Sequence, residues 1–235
     1  MTTPPRATDR WLLLQLADGT FPSGGFAHSA GLEAALVLGA FDNAERREGA
    51  GSDGAAEALE RFVDASLCQL GRAALPFVRA AALEPSRLAE LDDAFDCTST
   101  MIGPNRASRS QGRALASAAS RVWGRVAPVV EHARRGPAHH PPVFGAVFGL
   151  LGVGVDDALA AYLHGALRGI LSAGVRLGLA GPLEAQRLHA AAAPRLDAIV
   201  DGSRALQPED AAQTAPLLEI FAALHERLDG RMFQS

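Results

Sequence analysis

Lysine is absent from this 235-residue chain, so all 22 basic side chains are arginines. Without an ammonium group there is no Walker-A phosphate site, no kinase-type phosphate lysine and no Schiff-base chemistry. Cysteine is nearly absent too. Cys68 and Cys97 lack metal-ligand or redox spacing, and are expected to be reduced, part-buried thiols. Branched and aromatic residues that favour strands are scarce, with one Tyr and two Trp. A positive charge excess is also missing: the net charge is −4, which argues against nucleic acid as a partner. No apolar run approaches the ~20 residues a bilayer span needs, and Met1 to Arg10 is polar and shows no leader pattern. A cytoplasmic protein with no membrane partner is expected.

What remains is rich in alanine, which loses no side-chain entropy in a helix, so the expectation is all-α: a single-domain bundle of about ten helices. Residues 1–8 are read as disordered, 9–235 as one domain, and 39–56 as a mobile loop. Helices are expected at 9–17, with Asp9 as N-cap, and at 29–38. Others are expected from 57 to about 70, then at 72–84, 86–98, 105–122 and 125–134. After a proline-rich loop at 136–142 come a short helix to 151, a long one over 156–177, and two more over 183–200 and 209–229. On the long helix Leu159, Tyr162, Leu163, Leu167, Ile170 and Leu171 make a wide apolar face that suits a central helix or a dimer seam, with Gly165 and Gly169 one turn apart.

The most varied chemistry lies between Asp18 and Leu38. Pro22, Gly24, Gly25 and Gly31 form a structural turn that carries Phe26, His28 and Glu33, an aromatic, an imidazole and a carboxylate on one bend. Ser29 sits in a distorted G-x-S-x-G context, but no strand precedes it, and it is read as a helix cap rather than a nucleophile. Arg106, Arg109 and Arg113 fall on one helical face, read as a solvated face or a carboxylate-seeking contact surface. His139 and His140 are the weak candidates for a divalent metal, because adjacent imidazoles chelate poorly unless other ligands converge. His132, His164, His189 and His225 stand alone on predicted helices and are read as solvated or core-satisfied. The tail Arg231-Met232-Phe233 carries apolar groups that either fold back or dock on another protein. No catalytic residue and no cofactor is expected.

Four stretches, in order, resemble the urease accessory protein UreF family. They are Leu13–Leu16 with Pro22, Gly24, Phe26, His28, Ser29, Gly31, Leu32 and Glu33; the run 106–113; the blocks 143–145, 172–177 and 181–188; and the end 225–235. The resemblance implies a urease maturation chaperone without catalysis of its own. It would bridge the accessory protein UreD (UreH) and the GTPase UreG on apo-urease, modulate GTP-dependent nickel insertion, and form a homodimer. It also implies partner contacts at Phe26, His28, Glu33, the arginine face, and a docking role for Arg231, Met232 and Phe233. Two other classes stay open: an all-α metal-dependent enzyme, which needs converging His and Asp/Glu ligands, and a small-ligand-binding helical regulator, which needs a basic helix-turn-helix.

Overall fold

The computed structural model describes residues 10–22, 24, 28–41 and 52–234. Expectations for 1–8, for Asp9, for most of the 39–56 loop, and for Gly25 and Phe26 therefore lie outside the described residues. Within them every regular element is helical and no strand occurs. The α-helices are α1 (Arg10–Ala17), α2 (Leu32–Val37), α3 (Ser52–Ala73), α4 (Leu75–Leu83), α5 (Leu88–Thr98) and α6 (Ile102–Val122). They continue as α7 (Ala127–Arg135), α8 (His140–Leu150), α9 (Val155–Arg176), α10 (Pro182–Ala191), α11 (Ala193–Ser203) and α12 (Pro216–Leu224).

Prolines set many of these boundaries. In α4, α7, α8, α10, α11 and α12 a proline occupies the first turn, where its missing N–H would have had no helical partner. This corrects two expectations. His140-Pro141-Pro142 opens α8 instead of ending a loop, and Pro194 splits the expected 183–200 helix in two. Two further corrections are that α3 begins at Ser52, so the expected loop ends earlier than 56, and that the last helix covers only 216–224, flanked by short 3-10 turns.

α9 is the central helix. Leu159, Tyr162, Leu163, Leu167, Ile170 and Leu171 are all buried, and the helix packs against α1, α3, α4, α8, α10 and α11. By length and composition alone it qualifies to cross a bilayer, contrary to the expectation that no run does, yet 56% of its apolar window is buried inside the protein. The wide apolar face is thus spent on the core, while Gly165 and Gly169 face open space.

α8 is apolar around its whole circumference, buried continuously from Pro141 to Phe148, and lies against α4. Gly145 and Gly149 allow that approach: a Cβ at either would run into the Val78 or Ala82 carbonyl. Phe144 stacks on Phe148 at 4.0 Å, and Phe77 meets Phe95 edge-on at 5.0 Å. The buried side chains join in one connected core. Each fully buried Leu or Phe contributes roughly 1.5–3 kcal/mol of transfer free energy, so this core carries the fold.

Candidate functional site

The glycine bend is built by backbone geometry that few residues tolerate. Asp18 starts it by accepting a hydrogen bond from the Thr20 N–H at 2.8 Å, and Phe21 stacks on Trp123 at 5.9 Å. Ala30 and Gly31 then take successive positive φ values of 54° and 84°. Gly31 is required twice over, because a Cβ there would sit 2.9 Å from the Ala222 nitrogen in α12. Ser29 is buried but does not cap α2; Gly31 holds that position with no side-chain cap, which corrects the capping expectation. Pro22 and Gly24 are exposed, with Gly24 at φ 80° against Ala114 of α6.

Pressing α2 against α12 delivers Glu33 to the end of the chain. Its carboxylate accepts hydrogen bonds from the Met232 N–H (2.7 Å) and the Phe233 N–H (3.2 Å) and meets His225 Nε2 at 2.6 Å. Burial pushes the Glu33 carboxyl up, but these donors more than offset it and hold it below the usual carboxylate range. Phe233 is only 5% exposed, and the Arg176 guanidinium lies 3.9 Å over its ring. The tail therefore folds back. Of the two outcomes open for these apolar groups, Phe233 takes the first and folds back, while the Met232 side chain stays 55% exposed. Arg231 is exposed. His28 is half-buried near His225, and burial followed by that neighbouring imidazole lowers its proton affinity.

The three arginines each have a partner within the chain. Arg106 reaches Glu226 at 3.2 Å, Arg109 reaches Asp96 at 2.5 Å, and Arg113 donates to the Gly136 carbonyl at 3.2 Å. Each guanidinium has five N–H donors, so donors remain beyond these contacts. With Ser99, Thr100, Ile102 and Asn105 they line an open groove of about 630 Å³. Arg106 is more open than Arg109, its side chain 73% exposed against 34%.

Beneath the groove lies a polar network that reading the sequence missed. Asp92, fully buried, accepts from the Ala138 N–H (2.6 Å) and the His139 N–H (2.7 Å) and meets His132 Nε2 at 2.5 Å. Asp96 takes hydrogen bonds from Asn105, Arg109 and His139, which together hold its carboxyl far below the usual range. His139 uses both ring nitrogens, Nε2 on Asp96 (2.9 Å) and Nδ1 on the Ser108 hydroxyl (3.1 Å), so neither is free to bind a metal. His140 packs between Phe144 and Tyr162, and burial with the nearby His28 takes its pKa down to about 4. Among the described residues no group of three or more His, Cys, Asp or Glu side chains is placed to hold an ion.

Sequence signals for the missed residues exist. Leu88, Leu91, Asp92 and Phe95 recur at i, i+3, i+4 and i+7, so Asp92 occupies a core position that an unpaired carboxylate does not take. His225 likewise follows Leu218 and Phe221 at helical spacing. The Arg176–Phe233 contact had no such signal. Cys68 and Cys97 are free thiols, the first half-buried against Arg195, the second exposed.

The consequence is convergence. The bend before α2, the start of α6, the end of α9, and α12 with the tail meet at one end of the molecule. Glu33 to the tail, Gly31 to α12, Gly103 to Ala222 and Ala223, Arg106 to Glu226, and Arg176 to Phe233 tie them together. On these elements Ile102, Leu217, Ile220 and Met232 remain exposed.

The UreF family model matches residues 54–193. The chain is 33% identical over 234 residues to "Urease accessory protein F" of Arabidopsis thaliana, covering 96% of this chain and 92% of that one. It is 32% identical over 231 residues to the protein of the same name in Oryza sativa subsp. indica (95% and 84%). It is 28% identical over 240 residues to "Urease accessory protein UreF" of Trichodesmium erythraeum (96% and 97%).

Proposed function

Because this chain belongs to the urease accessory protein UreF family, we propose that it is a non-catalytic maturation chaperone acting through its convergent end face. It serves urease maturation, working in the cytoplasm as one domain from residue 9 to 235. Its partners are UreD (UreH), the GTPase UreG and apo-urease, and its effect is to couple GTP hydrolysis to nickel insertion. The chain itself forms a homodimer, for which the open Gly165 and Gly169 strip of α9 is the available close-approach surface.

The observation that carries this reading is that family-matching stretches up to 200 residues apart in sequence are joined at one end, through Glu33 and the tail. A core does not need four exposed apolar side chains on the elements that meet there, whereas a docking face does. The arginine groove adds guanidinium groups suited to carboxylates on a partner. Among the described residues no group of three ligating side chains is found, whereas an all-α metal-dependent enzyme needs such a group.

Co-expression with candidate UreD and UreG, followed by size-exclusion chromatography with light scattering, tests the proposal. A stable complex containing this chain is expected, with no small-molecule turnover by the chain alone. Failure to associate with either partner, together with turnover that survives repurification, overturns it.

A further inference from the structure

His164 and His189, isolated from each other in sequence, are brought together where α9 packs on α10, with ring centroids 5.2 Å apart and planes at 78°. Both rings are half-buried. Neither ring shares a hydrogen bond or ion pair with another described residue, in contrast to His132, His139 and His225, each of which has a carboxylate. An imidazole nitrogen binds a tetrahedral divalent ion at about 2.0–2.1 Å, which places ring centroids roughly 3.2 Å from it and two such rings about 5.2 Å apart. The observed separation matches.

We propose that His164 and His189 form a two-imidazole surface site for a divalent transition-metal ion that favours nitrogen ligands, the class of zinc and nickel. Protein ligands number two, since no third His, Cys, Asp or Glu joins them among the described residues. Water fills the remaining positions, so the ion exchanges readily instead of being held as a structural metal. Burial, then the neighbouring His189 and Arg168, lowers the proton affinity of His164, which keeps its ring neutral and able to ligate near neutral pH. The Arg168 guanidinium opposes a cation. Its side chain, however, reaches over Gly19, beside the Asp18 carboxylate, so its charge is partly offset. The site is separate from the convergent end face and does not depend on the partner reading.

Titrating the full, tag-free chain with zinc chloride, and in parallel with nickel sulfate, tests this by calorimetry and by the histidine ring C–H signals in NMR. One ion per chain is expected, with the His164 and His189 signals shifting together. His164→Gln and His189→Gln should each weaken binding on the order of tenfold or more. The proposal is overturned if the doubly substituted chain titrates like the parent, or if only other histidine signals respond.

Discussion

Asp92 and Glu33 are two buried carboxylates with the same immediate surroundings. Each accepts two successive backbone N–H groups and meets one imidazole: Ala138, His139 and His132 for Asp92, and Met232, Phe233 and His225 for Glu33. What differs is the chain being held. Asp92 fixes the loop between α7 and α8, a segment anchored by a helix on both sides, whereas Glu33 fixes residues 232 and 233, which follow the last described helical turn at His225–Arg227. The first clamp lies wholly inside the fold, Asp92 being fully buried. The second holds residues 232 and 233, with helix on one side only among the described residues, and it stands beside the exposed Met232 side chain. One local chemistry thus serves a loop between two helices in one place and a segment after the last described helical turn in the other.

The comparison breaks most sharply at Asp92. Asp92→Ala leaves two backbone N–H groups and an imidazole unmatched in the core, and is expected to cost about 3–5 kcal/mol in denaturant unfolding. A loss below about 1 kcal/mol would put the two clamps in the same class. Acid acts next. A histidine whose folded pKa is depressed leaves the unfolded chain binding more protons, so stability falls as pH drops below about 6.5. For His140, with its folded pKa of about 4, the loss accumulates down to that pH and reaches up to about 3 kcal/mol. His28 and His139, shifted the same way, add to it. Below about pH 4 Asp96 and Glu33, both depressed, lose their own contribution as well. Melting followed across pH 8 to 4 should hold down to about pH 6.5 and fall below it, and His140→Phe should flatten that fall.

Glu33→Ala sharpens the contrast from the tail's side. About 1–2 kcal/mol of stability is expected to go, with hydrogen exchange at Met232 and Phe233 accelerating while the α4 and α8 amides stay protected. Equal acceleration throughout would show that the tail is part of the cooperative core. The smallest effect belongs to Arg106→Ala. Its exposed pair with Glu226 is worth less than about 0.5 kcal/mol, so melting should hardly move while partner binding weakens.

Helix type and the central place of α9 were legible in the sequence, because alanine content and three-to-four spacing report local preference and burial directly. Proline was harder to read. The same residue that ends one helix is admitted in the first turn of another, and only the packing of α8 on α4 decides that His140-Pro141-Pro142 is helical. Glu33, His28 and the arginines stood out by type and spacing. Their partners did not, since His225 to Glu33 and Arg176 to Phe233 are long-range contacts that no local pattern encodes. Burial of Phe233 was hidden for that reason. Asp92 was readable in principle, as a carboxylate in a core register.

The account turns on the end face as a docking surface. Ile102→Glu with Leu217→Glu places charge on two exposed side chains of that face, neither of which belongs to the Glu33 clamp. The direct measurement is the light-scattering mass of the complex with UreD and UreG, taken beside the melting curve of the free chain. The predicted result is an unchanged melt and loss of the complex; a complex of undiminished mass and stability would contradict it.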